Sequence, residues 1–577
     1  MTSAWMTRAW KLGAAWTLIG VASTTIAPVE ARWQAPVPKK AAQKGSTPAT
    51  TVAVDRIKAE HIAAHVKFLA DDLLEGRAPA TRGGDLAAKY IATQFELLGL
   101  APAGEKGTYF QQVPIIESSA KPDMTLTVKG TGAAAKTEQF KFGSDFVAAS
   151  GIDEATVPID APVVFVGYGI VAPEYTWNDY AGVDVKGKIV LVMVNDPPAS
   201  AAEPTLFAGK ALTYYGRWIY KFEEAARQGA AGALLIHTTE SATYPWQVVQ
   251  SSWSGTQYRI PTPAGTPALR IKSWISDDAA KRLVAAGGKN LDELRKGAVQ
   301  RGAKAVDLGV SVSGTIEQQV NRKTSPNVIG VLKGSGSAAK VEESIVFTAH
   351  YDHLGKHDVP AGQDGIYNGA RDNASGVAMI LDMAQAFAMT KTRPARSIYF
   401  VSTTGEESGL LGSEYLATHP LMPLDKIAAN INVDSANVYG RASEIVLLGV
   451  ERSTLKADAD LIVKRWHRTL GQDEHPDRGY FFRSDHFPLA KVGVPAVSIT
   501  LANASTFTGP NAAQARKRAE SYNETCYHQV CDEYSPEWDL TGAVDDARLL
   551  TDLGWHLANT PQMPHYNANE QFARARH

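Results

Sequence analysis

Acidic and histidine side chains follow three apolar segments in the C-terminal half of this sequence. His350 and Asp352 come directly after "SIVFTA", Glu406 and Glu407 follow "RSIYFVSTT", and Asp434 ends "AANINVD". Asp372 precedes a helical pattern, "SGVAMILDMAQAFA". Carboxylates mixed with imidazoles are ligands that suit zinc or a similar divalent ion. The residue types therefore favour a metal-dependent site.

Each of these residues alone has an ordinary explanation. Asp372 could be a helix N-cap, and Glu406 with Glu407 could lie on a solvated face. Their shared position is what favours chemistry, because ligand sites in open α/β sheets lie beyond the carboxyl ends of the strands. His528 adds a second histidine. Two histidines together with three of these carboxylates exceed what one catalytic zinc needs. They would suit two metals roughly 3.5–4 Å apart that share a bridging carboxylate.

The segments around these residues alternate between strand and helix from about Asn327 onward. The strands, with "VPAVSIT" as the fourth, are nearly continuous hydrophobic runs, as expected when helices cover both faces of a sheet. Further helices are predicted at "GLLGSEYLATH" and "KADADLIVKRWHRTL". The predicted fold class is α/β, with a mixed, mostly parallel central sheet, helices on both faces and a smaller β-rich inserted domain.

Five motifs in chain order carry a family resemblance. The series His-x-Asp, Asp-Asn-x-Ser-Gly, Gly-Glu-Glu, Asn-x-Asp and Tyr-His resembles the co-catalytic di-zinc exopeptidases of peptidase clan MH. That group includes secreted leucine aminopeptidases, glutamate carboxypeptidase II and the transferrin receptor. The motifs span roughly residues 327–543, the segment "LADDLLEGRAPATRGGDLAAKYIATQFELLGL" resembles the family's N-terminal helices, and the middle of the chain resembles its inserted protease-associated domain.

The resemblance implies a role for each motif residue. One zinc would be held by His350 and Asp434, the other by Glu407 and His528, with Asp372 between them and a cis peptide after Asp372. It also implies roles for the neighbouring residues: Glu406 as general base, Tyr527 as donor to the developing oxyanion, Asp352 as the acceptor of a hydrogen bond from His350, and Asp485 and His486 as pocket wall.

Zinc pairs acidify a water so that hydroxide exists near neutral pH, and Glu406 would move its proton to the leaving amine. The implied enzyme is a zinc-dependent exopeptidase, an aminopeptidase acting on peptides with a free N-terminus. A carboxypeptidase or dipeptidase on the same fold stays open, and would need arginines such as Arg371 or Arg483 at a terminal carboxylate. A non-catalytic binding protein is disfavoured because every ligand position and Glu406 are present. A one-zinc glutaminyl cyclase is disfavoured by the five retained ligands.

The rest of the chain divides by composition. We predict a signal peptide at 1–31, a flexible leader at 32–52, a peptidase domain at 53–150 and 300–564, an inserted protease-associated domain at 151–299 and a loose tail at 565–577. His353 and His357 share the loop of His350 and are interpreted as ordinary polar residues.

Charge and cysteine content bound the partners and the compartment. The net charge is -2 with no long basic run, which gives nucleic acid binding little electrostatic support. The signal peptide predicts a periplasmic or secreted protein with no stable membrane anchor after cleavage. The two cysteines, Cys526 and Cys531, are expected to form a local disulfide in that oxidising compartment, which matches one seen in some secreted aminopeptidases of the family. The sequence does not predict the oligomeric state.

Overall fold

A computed structural model describes residues 51–131, 136–242, 244–263, 265–568 and 570–575 of the chain. The predicted signal peptide at 1–31 and all but the last two residues of the predicted leader lie outside these ranges.

The helices of the described residues alternate with strands along most of the chain. They are α1 (Ala59–Leu69), α2 (Arg82–Leu97), α3 (Trp218–Arg227), α4 (Thr239–Ala242), α5 (Trp246–Ser254), α6 (Asp277–Ala286), α7 (Leu291–Ala298), α8 (Ala338–Glu342), α9 (Ser375–Ala388), α10 (Leu411–Thr418), α11 (Leu455–Arg465), α12 (His486–Lys491), α13 (Ala512–Thr525) and α14 (Thr541–Asn559).

The strands form two large sheets and two short pairs. They are β1 (Ala101–Pro102), β2 (Phe110–Ala120), β3 (Thr125–Gly130), β4 (Thr137–Lys141), β5 (Phe146–Ala149), β6 (Thr156–Phe165), β7 (Val171–Ala172), β8 (Trp177–Asn178), β9 (Ile189–Met193), β10 (Gly232–His237), β11 (Thr256–Arg259), β12 (Ile271–Ser276), β13 (Val306–Leu332), β14 (Ser344–His350), β15 (Gly355–Lys356), β16 (Ile366–Tyr367), β17 (Ser397–Thr403), β18 (Ile427–Val433), β19 (Glu444–Leu448), β20 (Thr469–Gly471) and β21 (Ala496–Thr500).

The first sheet has four parallel strands at its centre. The order β17-β14-β18-β21 is parallel throughout, while β13 pairs antiparallel with β17 and β19 pairs antiparallel with β21. Every residue of β14 and β18 is buried. The apolar helix α9 is buried along almost its whole length in the same core as α1, α2 and α14. The predicted α/β class, with a mixed sheet and these strands and helices, is confirmed.

The second sheet shares one long strand with the first. The N-terminal half of β13 pairs with β3 and β6, and its C-terminal half pairs with β2 and β17. The strands β6, β9, β10 and β12 run parallel to one another. Strands from outside 151–299, such as β3, β4 and β5, complete this sheet. The boundaries predicted for an inserted domain stay a prediction.

The described part of the C-terminal tail packs against the fold. The Tyr566 hydroxyl donates to the carbonyl oxygen of Val494, and the buried Phe572 ring stacks on Phe481. The described residues of the predicted tail 565–577 thus contact the fold through two buried aromatic side chains, and the boundary of the tail stays a prediction. Among the described residues, no helix combines the length and apolar character that a membrane span requires.

Candidate metal centre

Three of the predicted ligands meet at the carboxyl edge of the first sheet. His350 is the last residue of β14 and is 1% exposed. Its Nε2 lies 3.3 Å from Asp372 Oδ1 and 3.5 Å from Asp434 Oδ1. Asp434 directly follows β18, the neighbour of β14 in the sheet. The parallel strands thus bring residues 84 positions apart into contact, as strand-end positions predict.

Asp372 lies between two histidines and is held by main-chain contacts. Its Oδ2 lies 3.4 Å from His528 Nε2, so its two oxygens face different imidazoles. The carboxylate of Asp532 accepts from the N–H groups of Arg371 and Asp372, each at 3.0 Å. The Asp372–Asn373 peptide is cis, as expected. This arrangement is what a bridging carboxylate requires.

The Asn373 side chain ties Asp372 to the strand end that carries Asp434. Its amide group donates to the carbonyl of Val433, and its oxygen accepts from the N–H of Ser435. Ser435 adopts a φ of +71°, a region that non-glycine residues rarely occupy. Ser484 donates to Asp434 Oδ2 at 2.6 Å. Asp434 is therefore held by its own carboxylate and by the main chain of the residues before and after it.

A second group of ligand atoms surrounds Glu407. His528 Nε2 lies 3.0 Å from Glu407 Oε2, and His353 Nδ1 lies 2.6 Å from Glu407 Oε1. His353 and His528 pack edge to face, with ring centroids 5.6 Å apart. His528 has a φ of +57° and follows Cys526, which forms the expected disulfide with Cys531. Two triads have ligand atoms close enough for one ion each: His350, Glu406 and Asp434, and His353, Asp372 and Glu407.

Buried atoms of this cluster lack hydrogen bonds despite their short separations. His350 Nε2, His353 Nδ1, His528 Nε2 and Glu407 Oε1 are buried, and none has a hydrogen-bond partner among the described residues. The three nitrogens lie near carboxylate oxygens, and Glu407 Oε1 lies near His353 Nδ1, in each case without a hydrogen bond. Such orphaned atoms are costly unless something else satisfies them. Ligands that point to a common cation have this arrangement, so the donor set fits zinc.

The electrostatics of the cluster also favour a cation. Burial acts to lower the pKa of His350, but Glu406, Asp372 and Asp434 raise it well above its ordinary value. Burial also acts to lower the pKa of His528, but Asp372 and Glu407 outweigh it and raise the pKa of His528 to about 10. The site stabilises positive charge on both rings, and a divalent ion would supply that charge in place of protons.

Glu406 lies among other acidic side chains. Burial, Asp434, Glu407 and Asp485 raise the pKa of Glu406 well above its ordinary value, although His350 opposes them. Its main-chain N–H donates to Asp352 Oδ1 at 3.2 Å. Asp352 is also near His350, but the acceptor closest to His350 Nδ1 is the Asp352 carbonyl oxygen at 3.2 Å rather than the carboxylate at 3.9 Å. Asp352 therefore positions Glu406 through its carboxylate and His350 through its main-chain carbonyl.

Tyr527 forms the open side of the cluster. It is 47% exposed, and its ring stacks on His528 with centroids 3.9 Å apart. Desolvation of the phenol and the charges of Asp372, Glu407 and Glu406 raise the pKa of Tyr527 well above its ordinary value. The hydroxyl is therefore kept protonated and able to donate.

Two kinds of site residue differ from the sequence prediction or lack one. The sequence predicts an ordinary polar side chain at His353, yet His353 lies against Glu407, because the loop after β14 folds back over the site. Arg77 holds that loop by donating to the carbonyl oxygens of Tyr351, Asn368 and Gly369. Asp532, one residue after Cys531, belongs to no motif in the sequence, yet it accepts from the N–H groups of Arg371 and Asp372. Of the two pocket-wall residues, Asp485 accepts from Thr403 and Ser413, and His486 is fully buried against Phe481.

The segment that carries the site matches a known protein family. Residues 327–551, which include every predicted zinc ligand, match the family model described as Peptidase family M28. The chain carries a peptidase family M28 domain. The resemblance to the zinc exopeptidases of clan MH is thereby confirmed at the level of the family.

Curated relatives of the M28 domain carry matching names. A probable zinc metalloprotease of Pyricularia oryzae is 32% identical over 146 residues, 25% of this chain and 25% of that protein. A probable zinc metalloprotease of Pyrenophora tritici-repentis is 25% identical over 305 residues, 47% of this chain and 60% of that protein. The matches thus span between a quarter and three fifths of these relatives.

Solved structures give a looser likeness. An aminopeptidase from Aneurinibacillus sp. strain AM-1 is 19% identical, with 89% of this chain and 96% of that chain covered at a TM-score of 0.46. A zinc aminopeptidase from Bacillus subtilis is 17% identical, with 87% and 96% covered at a TM-score of 0.40.

Proposed function

We propose that this protein is an exported di-zinc aminopeptidase that hydrolyses N-terminal peptide bonds. The observation that carries the proposal is the set of buried imidazole nitrogens that lie 3.0–3.5 Å from carboxylates without hydrogen bonds. Membership of peptidase family M28 supports the reaction class. A local disulfide supports an oxidising compartment, either periplasmic or extracellular.

Two zinc ions would be divided between the histidines. His350 and Asp434 would hold one, Glu407 and His528 the other, and Asp372 would bridge them through its two oxygens. His353 lies close enough to Glu407 to join the second ion or to orient that carboxylate. When bound, such a pair supplies Lewis acidity and lowers the pKa of water.

The chain's own residues would then carry out the proton transfers. Glu406 takes the proton of the attacking water and delivers it to the leaving amine, and the bond from its main-chain N–H to Asp352 positions it for this role. Tyr527 donates to the oxygen of the tetrahedral intermediate. The buried Nε of Arg371 has no hydrogen-bond partner among the described residues, although the guanidinium stacks on Tyr522 at 4.1 Å. The substrate tests below therefore distinguish an aminopeptidase from a carboxypeptidase that would use Arg371.

Metal analysis beside paired substrates tests the proposal. We expect two zinc ions per chain, and release of anilide from leucine or alanine anilides but not from their N-acetylated forms. Cleavage of the acetylated forms at a similar rate, or full activity in a protein without bound metal, would refute an aminopeptidase of this type. The proposed segments 1–31 and 151–299, as signal peptide and protease-associated domain, can be tested by the mature N-terminus of the exported protein and by deletion of the insert.

A further inference from the structure

A cavity of about 240 Å³ lies between the helices α1, α2 and α9. Its lining includes two histidines of α1, His61 and His65, together with Gln94 of α2 and Asp382 and Gln385 of α9. The three helices share one hydrophobic core, which fixes their positions relative to one another. The cavity is separate from the metal centre, because Asp382 lies roughly 10 Å along the helix axis from the first residue of α9.

The two histidines are four residues apart on the same helix. Residues at this spacing are neighbours on a helix surface, and two histidines so spaced are a common pair of ligands for one zinc ion. The pKa of His65 also reflects their proximity, because burial and then the charge of His61 lower it to about 4. The spacing therefore allows both imidazoles to face a single ion.

Each imidazole is bonded through one nitrogen only. His61 Nδ1 lies 2.9 Å from Asp382 Oδ1. A carboxylate only accepts, so a neutral His61 carries its proton on Nδ1 and a lone pair on Nε2. His65 Nδ1 lies 2.8 Å from the Tyr90 hydroxyl, which can accept in the same way. Neither Nε2 atom has a hydrogen-bond partner among the described residues, so both are available to a ligand.

The partners of the two rings are themselves held in place. The Asp382 side chain is 2% exposed, and its Oδ2 accepts from the N–H of Lys58 at 2.9 Å. The ring of Tyr90 stacks on Phe68 with centroids 4.1 Å apart. Histidines that bind metals usually donate their other ring N–H to such a group, which fixes the tautomer and the ring orientation. Both imidazoles are thus oriented before an ion binds.

The environment of the pair suits a transition-metal ion. The side chain of His61 is 39% exposed, which gives an ion a path into the cavity. Burial keeps His65 uncharged at neutral pH, and neutral imidazole is the form that binds metals. Gln94 and Gln385 offer amide oxygens in the same cavity. Imidazole nitrogens suit zinc, copper and nickel, whereas calcium and magnesium prefer oxygen ligands.

We propose that His61 and His65 form a further metal site, which binds one divalent transition-metal ion through the Nε2 atoms of both rings. Gln94 or Gln385 supplies an additional oxygen ligand. This inference goes beyond the proposed function, because none of these residues belongs to the di-zinc centre or to the proton transfers. An ion held by α1 and by an amide of α2 or α9 connects two helices, and it stabilises the fold because the unfolded chain lacks the site.

Metal counting tests the site directly. The wild-type protein and the double variant H61Q/H65Q are dialysed to equilibrium against the same micromolar concentration of free zinc. We expect the variant to hold one zinc ion per chain fewer than the wild-type protein and to hydrolyse leucine anilide at the same rate. Equal zinc contents would overturn the proposal. The comparison does not depend on the proposed function, since a protein without peptidase activity would still show the difference in zinc.

Copper spectroscopy identifies the ligand atoms. One equivalent of Cu²⁺ is added to the zinc-loaded protein, and the nitrogen hyperfine pattern is recorded by electron paramagnetic resonance. We expect the pattern of two imidazoles in the wild-type protein and of one imidazole in H65Q. Copper that displaces zinc from the metal centre gives a signal that persists in H61Q/H65Q. If the spectra of the double variant and the wild-type protein are identical, the assignment to these histidines is wrong.

Nickel titrations distinguish a built site from binding by exposed histidines. In D382N and in Y90F one ring loses its partner while both histidines remain, and we expect the affinity of the zinc-loaded protein for Ni²⁺ to fall about tenfold. H556Q is the matched control, because His556 pairs with Asp458 on the other side of α14 from no second histidine ligand of this cavity and should leave the affinity unchanged.

The single variants keep the test decisive if the double variant does not fold. H61Q and H65Q each remove one ligand, and each should lower the affinity for Ni²⁺ at least tenfold. Wild-type affinity in either folded variant, or an equal loss in H556Q, would contradict the proposal.

Discussion

Two edges of this molecule have the same topology and opposite chemistry. At the carboxyl edge of the first sheet, β14, β17 and β18 deliver His350, Glu406 and Asp434, a set of imidazole and carboxylate groups. At the carboxyl edge of the second sheet, the loops after β9 and β10 meet Arg217 and Trp274, which are donors. The parallel strands determine where a site forms, and the residue types after them determine the charge of its ligand.

The pKa shifts at the two edges run in opposite senses. At the first edge, carboxylates outweigh the burial of His528 and raise its pKa to about 10, so added positive charge is favoured. At the second edge, burial and Arg483 lower the pKa of Arg217 to about 10, so its positive charge is disfavoured without a partner. The first edge therefore favours an added cation, whereas the second edge presents buried donors without acceptors among the described residues.

Loss of the bridging carboxylate is expected to have the largest effect. In D372N the two oxygens that face His350 and His528 no longer carry a full charge. We expect zinc content well below two per chain and a fall in kcat of more than about 10⁴-fold, since metal and base must act together. Zinc analysis and steady-state kinetics measure both quantities.

A D372N protein that keeps two zinc ions per chain and wild-type turnover would show that Asp372 is not the bridging ligand.

Substitution of the general base should separate chemistry from metal binding. In E406Q the side chain keeps its size but cannot accept a proton at neutral pH. We expect kcat to fall by about 10²–10⁴-fold, the usual range for loss of a general base. Zinc content measured alongside should stay at the wild-type value, and wild-type turnover in E406Q would assign the base elsewhere.

The hydroxyl of Tyr527 should contribute less than Glu406. Y527F keeps the ring that stacks on His528 and removes only the donor. We expect kcat to fall by about 10²-fold with KM little changed, since an oxyanion donor acts in the transition state. Y522F is an informative comparison, because the Tyr522 hydroxyl bonds Asp532 instead of facing the open side of the site. An equal effect of both variants on kcat would argue for a structural role of Tyr527.

The sequence predicts the first edge much better than the second. Continuous apolar runs that end in His350, Asp434 or Glu406 reveal both the strands and the residues after them. The second edge depends on Arg217, Trp274 and Arg483, which lie far apart and carry no common motif. His353 carries no sequence signal for a related reason: it lies in a loop without periodicity, which the contacts of Arg77 help to hold over Glu407. The sharing of β13 between both sheets was likewise not apparent from its sequence.

The pH dependence of stability should include a contribution from His65, which lies outside both edges. The pKa of His65 is lowered to about 4 by burial and by His61. The unfolded chain, with an ordinary pKa near 6.5, therefore binds more protons between pH 4 and 6.5, and stability is lost as the pH falls through this window. We expect a loss of about 2 kcal/mol from this residue, after allowance for its partial exposure.

Denaturant unfolding in the presence of a chelator measures this contribution without the metal. H65Q should lose about 2 kcal/mol less than the wild-type protein between pH 6.5 and pH 4. Parallel pH curves for the two proteins would contradict the assignment to His65.

The smallest predicted effect concerns the link between the two regions. Glu223 lies on α3, in the region of the second sheet. Its carboxylate accepts from the Lys491 ammonium of α12 at 2.9 Å and from the Tyr214 hydroxyl at 2.7 Å. The helix α12 begins two residues after Ser484, whose hydroxyl donates to Asp434. The ion pair therefore connects α3 to the segment that holds Asp434. We expect E223Q to lower the free energy of unfolding by about 1–2 kcal/mol, as for a partly exposed charged hydrogen bond.

A matched variant distinguishes this link from local stability. Glu224 is the next residue on α3, but its carboxylate bonds Arg227 within the same helix. If the link is real, E223Q should also weaken zinc binding several-fold while E224Q, though destabilised, should keep wild-type zinc affinity. Equal zinc affinity in E223Q, E224Q and the wild-type protein would mean that the two edges share a strand and an interface but no coupling, because Asp434 would then be held by Ser484 whatever happens to α3.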